Sequence, residues 1–301
     1  MPTARGALGF FPPEVIVQVK ALACELPATC GVPLSRWSRN ELARYVQETG
    51  LVGTISGSTI WRWLSRDAIR PWQHRSWVFP RDPEFAQKAA PVLDLYQRIC
   101  EGRALHDNEF VISADEKTSI QARHRTHPTR PPHPRRAMRV EHEYERRSAW
   151  AYLAALDVHH ATVVGRCETT TGIEPFHRLV DQVMASAPYR HARRVFWIVD
   201  NGSSHRGARA VQRAHTWDPR VQLVHTPCHA SWLNQIEIYF SIVQRKVLTP
   251  NDFADLAAVA DRLRQFERHF AQVGQPFEWT FTRDDLANFL EKLDSALADA
   301  A

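Results

Sequence analysis

The run Val195-Phe196-Trp197-Ile198-Val199, five apolar residues ending on Asp200, limits the fold more than any other feature of the chain. A short apolar run bounded by polar residues reads as a buried strand, and this one as a central strand. Phe110-Val111-Ile112-Ser113-Ala114 reads the same way and ends on Asp115. Residues 149–158 and 161–164 are predicted as two further strands, separated by a turn at His159-His160, and 221–224 as another. Helical spacing in 175–187, 233–247 and 253–270 alternates with them. Strands followed by alternating helix and strand predict an α/β domain built on a mixed sheet.

Ahead of Phe110 the chain reads as helical. Pro12 and Pro13 open an apolar stretch over 15–26 that Pro27 stops. Ser38 with Glu41 three positions on is a capping-box pattern, and it starts a helix through Leu42, Ala43 and Val46 that ends at Gly50. Ser56 caps a third helix over 57–64. Helix, glycine-containing turn, helix is the outline of a helix-turn-helix, in which Ser58, Thr59 and Arg62 face DNA. Two short amphipathic helices also occur in any small bundle, and Trp61 and Leu64 are expected in the core. Residues 70–83 read as irregular and 84–99 as a connecting helix. The expected organisation is a helix-turn-helix region over 1–80, a linker helix over 81–108 and an α/β domain over 109–301.

Charge is concentrated. Eight arginines stand against three glutamates between Gln121 and Trp150, an excess equal to the formal +5 of the whole chain. Such a segment is either a solvated loop or a contact for a polyanion. Residues 126–136, rich in Pro, Arg and His, are expected to be a disordered loop. The five cysteines are odd in number and scattered, without a CxxC pair, which argues against a disulfide framework and a structural zinc site and fits a reducing cytoplasm. No apolar run approaches the roughly 20 residues that span a bilayer, so no membrane partner is expected.

Two strand-end aspartates and one helical acid, Glu237, are the candidate chemistry. Ligand sites in α/β sheets lie beyond strand ends, and carboxylates are the hard ligands Mg²⁺ prefers. Any one acid after a strand is equally an ordinary turn residue, and spacing does not decide between the two.

The flanking residues are more specific. Asp115-Glu116-Lys117-Thr118, Asp200-Asn201-Gly202-Ser203-Ser204-His205 and Thr226-Pro227-Cys228-His229-Ala230-Ser231-Trp232-Leu233-Asn234-Gln235-Ile236-Glu237 occur in that order. Together with Glu143-Tyr144-Glu145-Arg146-Arg147 and Pro276-Phe277-Glu278-Trp279-Thr280, they resemble the bacterial insertion-sequence transposases of the mariner superfamily, over roughly residues 10–290. The resemblance implies a ribonuclease H-like sheet flanked by helices, with Asp115, Asp200 and Glu237 as DDE ligands of two Mg²⁺ ions, for which Mn²⁺ substitutes. It implies cutting of transposon-end DNA and joining of the 3′-hydroxyl to target DNA, typically at TA, by a cytoplasmic, nucleoid-associated enzyme acting as a homodimer. Asn201 and His205 are expected to orient Asp200 or the scissile phosphate, and Asn234, one helical turn before Glu237, to position that carboxylate. Trp232 and Leu233 are expected to pack. Arg123, Arg125, Arg135 and Arg136 are expected at DNA phosphates. Relatives often carry two helix-turn-helix units, and this chain begins ahead of the second, so end recognition is in question. The competing readings are a DNA-binding protein derived from a transposase without catalysis, and a ribonuclease H-like nuclease that does not join strands.

Overall fold

The computed structural model describes residues 11–74 and 80–298; part of the irregular stretch expected over 70–83 lies outside them. Two compact units are present, Met1–Val78 and Phe79–Ala301.

The first unit holds three helices, α1 (Pro13–Cys24), α2 (Arg39–Glu48) and α3 (Gly57–Arg66), with a 3₁₀ turn at Pro27–Cys30 inside the expected connection. The capping box forms: Ser38 Oγ accepts from the Glu41 amide and Glu41 returns the bond to the Ser38 amide. Such a cap stabilises a helix by about 1 kcal/mol. Ser56 caps α3 through the Thr59 amide. The core is Val19, Trp37, Leu42, Val46, Ile60, Trp63 and Leu64. Trp61, expected in that core, is instead 47% exposed. Ile60, Trp63 and Leu64 form the i, i+3, i+4 stripe that packs, and Trp61 lies about 100° round the helix from Ile60.

In the second unit α4 (Phe85–Tyr96) leads into a small hairpin, β1 (Ile99–Cys100) and β2 (Arg103–Ala104). A five-stranded sheet follows, built from β3 (Glu109–His124), β4 (Glu145–Asp157), β5 (Thr162–Glu168), β6 (Arg194–Val199) and β7 (Val221–His225) in the order β5-β4-β3-β6-β7. β4 runs antiparallel to β3 and β5, while β3, β6 and β7 are parallel. The mixed sheet expected from the sequence is present. Val195, Trp197 and Val199 face one core with α5 (Ile173–Ala185) and α6 (Gly207–Trp217), while Phe196 and Ile198 face another with Val92 and Leu95 of α4. Burial of β6 on both sides explains its unbroken apolar run. On the β4 half of the sheet, α7 (Ile236–Lys246) and α8 (Leu256–Val273) cover Tyr152, Ala154 and Leu156. Helix α9 (Arg283–Ala298) packs Leu286 and Phe289 against Phe85 and Leu93. The segment 81–108, expected as a linker, therefore lies in the second unit, because α4 has apolar contacts on two sides.

Three local expectations change. β3 does not stop before Asp115 but continues to His124, held by β4 alone beyond Ser113, where its pairing with β6 ends. Residues 126–136, expected as a disordered loop, belong to a hairpin-like excursion with antiparallel bridges Arg130–Arg139 and His133–Arg136. A 3₁₀ turn, Ser231–Leu233, precedes α7, which leaves Asn234 in extended backbone before the helix rather than on its face. Among the described residues no helix is long and apolar enough to cross a membrane.

Candidate active site

Asp115 sits where β3 passes the end of β6, two residues beyond the last shared residue, Ser113, and Asp200 follows the last residue of β6. Both acids therefore lie at one edge of the parallel half of the sheet. Glu237 is in the first turn of α7, where a carboxylate meets the positive end of the helix dipole. Asn234 brings that helix start to β3. It is fully buried, accepts from the Ser113 hydroxyl, and donates through Nδ2 to the Ala114 carbonyl at 3.0 Å. Ser113 Oγ in turn accepts from the Ile236 amide at 2.8 Å, and the Asn234 carbonyl from the Glu237 amide at 3.1 Å.

The acids feel one another. Burial, then repulsion from Asp200, Glu116 and Glu237, pushes the Asp115 carboxyl up to about 8, against the opposing hydrogen bond from the Glu116 amide. Three carboxylates repelling a fourth group across a half-buried strand end form a hard-oxygen donor set that suits a divalent cation. Among the described residues, no three His, Cys, Asp or Glu side chains stand as a ready coordination shell.

The Asp200 loop is tightly folded. Asp200 Oδ1 accepts from the Gly202 amide at 2.7 Å, and Asn201 Nδ2 donates to the Thr226 carbonyl at 2.6 Å. A Cβ on Gly202 would lie 2.8 Å from Asp200 Oδ1, so a side chain there displaces the carboxylate. Asp200, Asn201, Gly202, Arg206 and residues 226–231 line a cleft of about 490 Å³.

His205 is 1% exposed and neither ring nitrogen has a hydrogen-bond partner. Burial holds it down to about 4, although the Asp200 charge opposes that, so it is neutral at neutral pH. Its Nε2 stands 3.5 Å from Glu116 Oε1, beyond a well-formed bond, and its ring meets Phe176 edge-on at 4.2 Å. Sequence reasoning passed over Glu116, whose carboxyl burial and the Asp200 charge push up. Strand alternation puts it on the sheet face opposite Asp115; the only sequence signal is its adjacency to that aspartate.

The candidate DNA contacts fall in three places. Ser58 and Arg62 are exposed on α3, where Arg62 donates to Thr59 Oγ1 at 3.2 Å. Arg123 and Arg125 stack on Tyr144 at 4.7 and 5.3 Å, and Arg146 adds a third guanidinium at 5.8 Å. Tyr144, not singled out alone from the sequence, organises this cluster. Arg135 and Arg136 are exposed at the tip of the β3–β4 excursion, at the His133–Arg136 bridge. Trp232 and Leu233 pack as expected, Trp232 against Phe85 and Phe281.

The family model described as DDE superfamily endonuclease matches residues 111–260. No curated protein sequence matches the chain. Among solved structures, the mariner Mos1 paired end complex with Mg aligns at TM-score 0.52 and 13% identity, over 93% of this chain and 77% of that one. The Mos1 transposase paired-end complex with left transposon end aligns at TM-score 0.51 and 14% identity, over 90% and 76%. At that identity the likeness is one of fold: the sheet and its helices are ribonuclease H-like.

Proposed function

Through residues 111–260 this chain belongs to the DDE superfamily of endonucleases, and we propose that it is a transposase that cuts the ends of its element and joins them to target DNA. The observation that carries this reading is that Asp115, Asp200 and Glu237 come from three separate elements to one strand end, where burial first, and then the charges of Asp200 and Glu237, lift the Asp115 carboxyl.

In this reading Asp115, Asp200 and Glu237 hold two Mg²⁺ or Mn²⁺ ions. Bound there, the cations supply Lewis acids for the attacking and leaving oxygens of an in-line phosphoryl displacement. The chain's own groups set the geometry. The Gly202 amide fixes one oxygen of Asp200, Asn201 ties the loop to Thr226, and Asn234 ties the start of α7 to β3. His205, neutral, fills the space behind the Asp200 loop without adding charge. A water oxygen displaces the 3′-oxygen from phosphorus, and the freed 3′-hydroxyl then attacks a phosphorus of target DNA, expected at TA, breaking its bond to the target strand's 3′-oxygen, which leaves as a hydroxyl. No enzyme nucleophile takes part. The helix-turn-helix segment from Ser38 to Leu64, with Ser58, Thr59 and Arg62, together with Arg123, Arg125, Arg135 and Arg136, carries the DNA. A homodimer brings two ends together, in the nucleoid.

The deciding experiment is cleavage of DNA bearing the element's terminal repeats by purified protein with Mg²⁺ or Mn²⁺. Wild type nicks it and Asp200→Ala, still folded by thermal melting, does not. Equal activity in the variant removes the assignment.

A further inference from the structure

Past Asp115 on β3 lies a second cleft, of about 330 Å³, that sets Lys117 beside Arg123 and Arg125. Lys117, Gln121, Arg123 and Arg125 of the β3 side form one wall; Gln244 of α7 and Asn251 of the following turn form the other. The cleft exists because β3 bulges. Its register with β4 shifts between Lys117 and Ile120, with Ser119 at φ 58. The extra residue turns Ile120 and Ala122 into the core against α7. Asn251 then takes the place of a neighbouring strand, accepting from the Arg123 amide at 3.0 Å and donating to the Gln121 carbonyl at 2.7 Å.

The charge here has one sign. Lys117, Arg123 and Arg125 line the cleft, and no Asp or Glu does. Arg123 Nε is buried without a hydrogen-bond partner among the described residues, while its guanidinium lies over Tyr144. A buried donor left unused calls for an acceptor, and phosphate oxygens match both a guanidinium fork and an ammonium group. Lys117 is two residues from Asp115 on the same side of the strand, about 6.6 Å along it at ordinary strand rise. We propose that this cleft is a phosphodiester subsite for the DNA strand flanking the scissile bond, an inference that rests on the DNA-cutting reading above.

The test uses the full chain, titrated with a duplex of its element's end between 50 and 200 mM salt, beside the Lys117→Gln/Arg123→Gln double variant. Each lost phosphate contact reduces the dependence of log affinity on log salt by about 1, so the slope becomes shallower by about two and cleavage falls at least ten-fold. The Lys117→Arg/Arg123→Lys variant, which keeps both charges, recovers the slope and shows that loss of folding is not the cause. An unchanged slope in the Gln variant overturns the subsite, as does a slope lost equally in the charge-keeping variant. Binding with the expected slopes but no nicking by wild type removes the catalytic reading alone; nicking with unaltered slopes removes the subsite alone.

Discussion

Asn234 Nδ2 donates to the carbonyl of Ala114 at 3.0 Å, so the residue before Asp115 and the segment before Glu237 are joined by one buried amide. The same side chain accepts from the Ser113 hydroxyl, and the two candidate ligands cannot move apart without breaking both bonds. Asn234→Leu leaves the Ala114 carbonyl and the Ser113 hydroxyl without that partner, at about 1–3 kcal/mol for each buried orphan. The thermal midpoint is expected to drop by several degrees. Cleavage, measured well below that midpoint, is expected to fall by 10- to 100-fold, the usual effect of losing a group that orients a ligand. A variant with wild-type cleavage would show that Asn234 is a packing residue only.

Asp115 and His205 give opposite pH dependences. In metal-free protein the Asp115 carboxyl keeps its proton up to about pH 8, whereas in the unfolded chain it loses it near 3.9. The folded state binds more protons between these values, so stability falls as pH rises through that window. His205, at about 4 when folded, protonates near 6.5 when unfolded, so stability also falls as pH drops from 6.5 towards 4. The two trends oppose each other below 6.5, and above it the Asp115 trend continues without that of His205. Thermal midpoints in EDTA are expected to decline from pH 6.5 to 8.5 in wild type and to stay level in Asp115→Asn. Adding Mg²⁺ is expected to raise the wild-type midpoint most at the alkaline end and to leave the variant much less affected. A level alkaline limb in metal-free wild type contradicts this.

Where the sequence misled, the cause is physical. The position of Asp200 at a strand end is legible because β6 is buried on both faces and its apolar run stops where the strand stops. The apolar pattern of β3 stops at Asp115 because the strand loses its parallel neighbour at Ser113; with β4 alone beside it, polar residues become tolerable and the alternation of a strand is lost. The start of α7 was read too early because the turn Ser231–Leu233 carries apolar spacing into the helix. Glu116 was invisible as a site residue because only the fold brings β3 to the Asp200 loop.

Trp61 marks the same limit in the first unit. Composition favours a tryptophan inside, but the apolar stripe of α3 passes through Ile60, Trp63 and Leu64, which leaves Trp61 47% exposed beside Ser58 and Arg62. Trp61→Ala is expected to change stability by no more than the ~0.5 kcal/mol typical of surface changes. If α3 lies in the major groove, the variant is expected to bind end DNA about ten-fold more weakly, with a smaller effect on unrelated duplex. Gel-shift titrations with both duplexes measure this, and equal affinities for wild type and variant on end DNA would remove α3 from the interface.

Asp82 provides a last test, at the loop behind Asp200. Its side chain is only 3% exposed, and it accepts from the Cys228 amide at 2.9 Å, the Glu84 amide at 3.0 Å and Lys88 Nζ at 2.9 Å. The Cys228 hydrogen bond is the chief reason its carboxyl is held down to about 2. Cys228 lines the cleft that Asp200 and Asn201 share, so Asp82 pins that wall from the start of α4. A carboxyl with a depressed folded value stabilises the protein above its unfolded value and loses that effect as pH falls from about 3.8 towards 2. Asp82→Ala is expected to cost about 1–3 kcal/mol at neutral pH and to flatten stability over that acid range. With the 226–230 wall released, cleavage at saturating DNA is expected to fall several-fold while DNA affinity changes little, because the loss is in the placement of Asp200 rather than in contacts to the duplex. A fall in affinity with an unchanged saturated rate would instead make this wall part of the DNA-binding surface.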